Sequence, residues 1–162
     1  MTPEIIGAIG AALVAVAVVF AAFRRVPEGF EYTVERFGRF ARILQPGLRP
    51  VVPWVERVGV RQDVREQSLG VDVDEVLTAD RVPLAASLRC FYQVIDTARA
   101  AYEVASVRQA LPELLTSSLG TVIAGMELET ALADRPGLNA RLLELSDESA
   151  AAWGVRITRL EV

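Results

Sequence analysis

Four carboxylates crowd into nine positions: Asp72, Asp74, Glu75 and Asp80. Clustered oxygens of this kind are what a hard cation such as calcium uses as ligands. Their spacing fits no known cation loop, and Asp72 and Asp74 alternate with Leu69, Val71 and Val73, as on the solvated face of a strand. The pairs Glu127 with Glu129 and Asp147 with Glu148 read as solvated helix faces rather than acid–base pairs. Cys90, the single cysteine, falls in an alternating apolar row with Leu84, Ala86, Leu88, Tyr92 and Val94, and reads as a small buried hydrophobe. The chain has no histidine, which removes an activating base for the thiol, a Ser/His/Asp set and the usual zinc ligands. No GxGxxG or GxxxxGKS/T phosphate loop occurs. The expectation is a protein with no catalytic residue, no metal and no cofactor.

A different chemistry is carried by arginine beside apolar side chains. The chain has no lysine; seventeen positive charges face twenty-one acids. Residues 24–65 hold nine arginines against five acids, and residues 66–162 hold eight against fifteen. A basic first half suits anionic lipid headgroups, which arginine engages through its planar fork. An acidic majority elsewhere does not suit nucleic acid. Within the basic half, Pro46, Pro50 and Pro53 forbid a helix or a central strand. Two readings of this stretch compete. In one it is an irregular loop whose Val51, Val52 and Trp54 cap the core. In the other it touches membrane, with Trp54 at headgroup level and Arg49 and Arg57 flanking the apolar patch. The predicted membrane-contact set is Arg24, Arg25, Arg49, Val51, Val52, Trp54 and Arg57.

Residues 5–23 are the element that would hold these groups at a membrane. They carry no charge and no proline, and as a helix they reach about 28 Å, close to the hydrocarbon thickness of a bilayer. A secretory signal is the rival reading, but it expects basic residues before the apolar run, whereas Arg24 and Arg25 follow it. The expected organisation is a single-pass anchor over 1–25 and a folded domain over 26–162. By the positive-inside rule that domain is cytoplasmic at the cell membrane.

The remaining pattern predicts an α+β domain. Strands are expected at 30–37, 39–44, 56–62, 64–74 and 82–95. Asp96 and Thr97 cap a short helix, Ser106 a longer one, and Asp134 a third with Pro136 in its first turn. Pro112 either kinks the long helix or marks its first turn. The third helix presents Leu138, Leu142, Leu145 and Ala152. Gly154 stops it, and residues 155–162 return to alternation.

Several stretches together resemble the stomatin/prohibitin/flotillin (SPFH, band 7) family, most closely its bacterial stomatin-like branch. They are residues 26–29 (VPEG), 35–40 (ERFGRF), 44–48 (LQPGL), 51–58 (VVPWVERV), 63–65 (DVR) and 75–80 (EVLTAD). They continue with 92–96 (YQVID), 119–132 (LGTVIAGMELETAL), 138–142 (LNARL) and 153–161 (WGVRITRLE). The resemblance covers nearly the whole chain. It implies a β-rich membrane-proximal part followed by a mixed α/β part. It also implies an oligomeric membrane scaffold that organises membrane microdomains and carries no catalytic residue. Partners implied are membrane lipids, further copies or longer SPFH relatives, and a membrane-anchored ATP-dependent protease or an NfeD-type membrane protein. The alternative is a monomeric tethered module that associates with longer relatives. Relatives continue past the position of Val162 into a coiled coil, so a short form or a fragment is expected. Pro112 departs from the family's regular helix. The apolar run lacks the central proline of hairpin-inserted stomatins, which favours a spanning helix.

Overall fold

The computed structural model of the chain describes residues 12–13, 16–17 and 21–162. Two units emerge, Met1–Asp63 and Val64–Val162.

The first unit is built from short antiparallel strands. β1 (Phe23–Val26) and β4 (Gly47–Pro50) form a two-stranded ribbon, while β2 (Phe30–Arg36) lies between β3 (Arg39–Leu44) and β5 (Glu56–Asp63). The alternation in β2 breaks where Thr33 and Val34 are both fully buried. There the register against β5 shifts, and the Thr33 hydroxyl accepts the Val60 N–H at 2.8 Å in place of a backbone carbonyl. Gly59 permits this approach: a Cβ there would lie 2.9 Å from the Thr33 hydroxyl. The core is small, with Val26, Val34, Leu44 and Val51 buried and Phe30 and Tyr32 packed at its margin.

Two expectations change here. Residues 47–50 are not irregular loop but strand β4, whose one neighbour is β1. A two-stranded ribbon has no interior position, so it tolerates the prolines that a central strand would not. The expected spanning helix over 5–23 lies mostly outside the described residues. Positions 12–13, 16–17 and 21 are helical. Among the described residues no helix is long and apolar enough to cross a membrane. At its far end the apolar run gives up Phe23 to β1, because the Ala22 carbonyl accepts the Val51 N–H at 2.6 Å and Phe23 pairs with Pro50.

The second unit packs helices on an antiparallel sheet of order β6 (Gln67–Leu77), β7 (Pro83–Val94), β8 (Val155–Glu161). Between β7 and β8 run α1 (Thr97–Tyr102), α2 (Val107–Ala124), α3 (Leu128–Ala133) and α4 (Arg135–Ala151). The alternation of β7 holds, with Leu88, Cys90, Tyr92 and Val94 buried. Asp96 accepts from the Ala98 and Arg99 N–H groups, and Asp134 from Gly137 N–H, as their capping positions require. Ser106 sits at the N-cap of α2 without a side-chain cap bond, and α2 runs through Pro112 as one helix from Val107. The row that α2 buries is Val107, Leu111, Leu115, Ser118, Leu119 and Ile123.

On α4 the buried row is Leu138, Leu142, Ser146 and Ala150, not the expected Leu145 and Ala152. Leu145 is exposed. The helix packs on both β8 and α2, and small side chains let its C-terminal half come close where leucines would hold it away. Gly154 closes the unit with φ +69: a Cβ would meet the Asp96 carbonyl at 2.6 Å, where the Gly154 carbonyl accepts from Ile95 and Asp96 N–H.

Candidate functional site

Several carboxylates of the second unit serve its structure. Asp72 accepts the Ser87 hydroxyl at 2.8 Å. Asp80 accepts the Thr78 hydroxyl and the Leu128 N–H, tying the β6–β7 turn to the start of α3. The Thr78 bond holds its carboxyl below the usual range. Asp147, expected to be solvated, instead accepts the Ile157 N–H at 2.9 Å and fastens α4 to β8. Burial pushes the Cys90 thiol up to about 11, so it stays a thiol at neutral pH. No group of three or more His, Cys, Asp or Glu among the described residues could hold a metal ion.

The unusual chemistry lies in the first unit, at two turns. Phe37 and Gly38 form the two-residue loop between β2 and β3, with φ +51 and +78. Positive φ at both positions belongs to the turn that favours Asn-Gly or Gly-Gly. Phenylalanine at the first position is strained, and its side chain is 83% exposed. Trp54, between β4 and β5, has φ +64 and is 89% exposed. Both rings line one shallow groove, together with Gly38, Val55 and Arg57. A left-handed backbone costs an L-residue roughly 1–2 kcal/mol, and two large exposed rings add nothing to the fold in return.

The Trp54 turn is held from beneath by Glu56. Its carboxylate accepts Arg36 at 2.8 Å, Arg42 at 3.0 Å and the Val52 N–H at 3.1 Å. The Glu56 N–H in turn donates to the Val52 carbonyl at 2.9 Å. Its side chain is nearly fully buried while both arginines stay half exposed. The Arg36 bond, then the Val52 N–H and Arg42, bring Glu56 to about 2 against the penalty of burial.

The expected contact residues separate into groups. Trp54 and Val52 are exposed, whereas Val51 is 7% exposed and belongs to the small core. Val51 thus leaves the contact set, because its N–H and side chain are both used inside the unit. The core-cap reading holds for Val51 and fails for Val52 and Trp54. Arg24 and Arg25 lie on β1, and Arg24 faces Arg49 of β4 directly across the ribbon. Arg57 pairs with Glu35 at 2.9 Å. Two functional candidates, Phe37 and Glu56, lie outside the predicted set. An aromatic residue in the loop position before Gly38 was the available signal for Phe37. None existed for Glu56, whose arginines come from 14 and 20 residues away.

Comparison with known proteins adds to this geometry. The profile of the SPFH domain / Band 7 family matches residues 24–162. An uncharacterized protein of Methanothermobacter thermautotrophicus is 34% identical over 80% of this chain and 40% of its own length. An uncharacterized protein of Mycobacterium tuberculosis is 32% identical over 91% of this chain and 39% of its own. The mitochondrial stomatin-like protein 2 of Rattus norvegicus is 29% identical over 85% of this chain and 39% of its own. The chain therefore spans about two fifths of the length of these relatives.

Proposed function

The chain belongs to the SPFH domain / Band 7 family, and from that premise we propose that it is a non-enzymatic scaffold that lies on a membrane and assembles laterally. The first unit meets the lipid through Phe37, Trp54 and Val52, with Arg24, Arg25, Arg49 and Arg57 at headgroup level. Residues 5–23 supply the anchor, and the folded part is cytoplasmic. Confinement to a plane raises the effective concentration of copies, so weak contacts between domains suffice for assembly. Its partners in this reading are lipids, further copies or longer SPFH relatives, and a membrane protease or an NfeD-type membrane protein.

The observation that carries the reading is the pair of strained, exposed aromatics at Phe37 and Trp54. Burying an exposed aromatic ring contributes about 1.5–3 kcal/mol, which exceeds the left-handed cost of roughly 1–2 kcal/mol. The arrangement is favourable once something covers the rings. Aromatic rings with nearby arginines suit the interfacial layer of a bilayer.

The test is expression of the full chain in cells, recovery of membranes in native lipid particles and size analysis of those particles. The expected result is membrane-bound oligomers, whose membrane contact weakens in a Phe37→Ser, Trp54→Ser double variant. A strictly monomeric chain in the particles overturns the scaffold reading.

A further inference from the structure

The first unit contains a second depression besides the aromatic groove. Arg24 and Arg25 of β1 and Arg57 and Arg61 of β5 line it, with Tyr32 on its wall and Glu56 at its base. Three of this unit's arginines, Arg57 of the cleft among them, are engaged by carboxylates among the described residues. Arg36 and Arg42 neutralise Glu56, and Arg57 pairs with Glu35. Arg24, Arg25 and Arg61 have no carboxylate partner among the described residues; Arg61 instead stacks on Tyr32, 5.3 Å from the ring centre. Glu56 cannot balance them, since both its oxygens are engaged by Arg36, Arg42 and the Val52 N–H.

The cross-strand register sharpens the point. Arg24 stands opposite Arg49 in a ribbon of only two strands. Like charges directly opposite each other destabilise such a pair, and nothing within the ribbon relieves it. Arg49 lies outside the cleft, but Arg24, Arg25 and Arg61 leave the cleft with an excess of positive charge that an anion from outside would balance. Arginine forks match phosphate oxygens with two parallel hydrogen bonds.

We infer that this cleft is a binding site for a phosphate-bearing anion, which in the membrane-apposed state is the headgroup of an acidic phospholipid. The lipid half rests on the function proposed above; the phosphate half stands on the cleft alone. It gives the first unit two different means of contact: rings for the apolar layer and a cleft for one headgroup.

The experiment uses the full chain in a neutral detergent. It is titrated calorimetrically with inorganic phosphate, with dihexanoyl phosphatidic acid and with dihexanoyl phosphatidylcholine. The expected result is binding of the first two, tighter for phosphatidic acid, and much weaker binding of the choline lipid. An Arg24→Gln, Arg61→Gln double variant should weaken phosphate binding about tenfold or more, because each loses a charge-assisted hydrogen bond to the anion. Its melting temperature should move by only a few degrees, since relief of the Arg24–Arg49 repulsion and loss of the Arg61–Tyr32 stacking oppose each other. Restoring charge alone, with Lys at position 24 in place of Gln, should recover part of the affinity without the fork. Arg89→Gln in the second unit should have no effect. Equal affinity for inorganic phosphate and phosphatidic acid would support the site and overturn the lipid as its occupant. Failure of the wild-type chain to bind phosphate at millimolar concentration would overturn the inference, as would undiminished binding by the double variant. Flotation of the same proteins with phosphatidylcholine vesicles reports on membrane apposition separately. A chain that binds phosphate but does not float loses the membrane reading and keeps the cleft.

Discussion

The two units of this chain spend their apolar residues in opposite ways. Val64–Val162 gathers Leu111, Leu115, Leu119, Ile123, Leu142 and Val155 into a fully buried core between sheet and helices. Among its described residues, Met1–Asp63 buries only Val26, Val34, Leu44 and Val51 as its apolar core. Every exposed phenylalanine and tryptophan among the described residues lies in that first unit: Phe23, Phe37, Phe40 and Trp54. Charge divides the same way, with eight arginines against six acids in the first unit and nine against fifteen in the second. One unit is organised around its own interior. The other leaves large aromatic rings outside its core.

The contrast breaks first, and with the largest effect, in the second unit. Leu115 is fully buried on α2. Leu115→Ala should cost about 3 kcal/mol, a transfer loss plus an unfilled cavity. Urea unfolding of the full chain, followed by far-UV circular dichroism, measures it. The same truncation at the exposed Leu48 of β4 should change stability by less than about 0.5 kcal/mol. Near-equal effects at the two sites would end the distinction between the units.

A smaller effect is expected from Glu56, a buried carboxylate of the first unit. Glu56→Gln leaves Arg36 and Arg42 without their shared acceptor and weakens the hold on the Val52 N–H. Complete loss of a buried pair costs about 3–5 kcal/mol. Both arginines can turn to water, so about 1–2 kcal/mol is expected here, read as faster hydrogen exchange confined to residues 47–57. The pH dependence has a fixed sign. Glu56 is held at about 2 against an ordinary 4.5. Its contribution is complete above about 4.5 and is lost as pH falls through about 2. Acid should therefore loosen the Trp54 turn over that interval, and Glu56→Gln should remove this dependence.

Much of the second unit was legible because its signals are local. Asp96 and Asp134 are caps within three residues of the groups they satisfy, and the alternation from Leu84 to Val94 needs no partner to be read. It failed where two elements had to be fitted together. Ser146 replaces Leu145 in the buried row because α4 must approach β8, and Asp147 is a fastener because Ile157 lies in reach. In the first unit the strands over 30–44 could be read, the second with matching bounds and the first one residue too long, since Phe37 belongs to the turn. The ribbon of β1 and β4 could not, since it pairs residues 23–26 with 47–50 across the intervening hairpin. Family resemblance covered nearly the whole chain and ran through Phe37, yet it gave neither Phe37 nor the arginine cleft a role. Those depend on turn geometry and on which arginines lack a carboxylate.

A small stability change should come from the turns proposed to make the contact. Phe37→Gly and Trp54→Gly each relieve a positive φ that glycine adopts freely, at +51 and +64. Greater freedom in the unfolded chain offsets part of that gain. Each variant should therefore lie within about 1 kcal/mol of the parent, on the stabilising side. Membrane contact should move the other way. In a paramagnetic-lipid measurement on vesicle-bound protein, the turns at residues 37–38 and 53–55 should lose their broadening in the double glycine variant. Sites in α2 should be unaffected in both proteins. If the double variant were instead clearly destabilised, the rings would be packing within the fold. The first unit would then resemble the second, a domain closed around its own core.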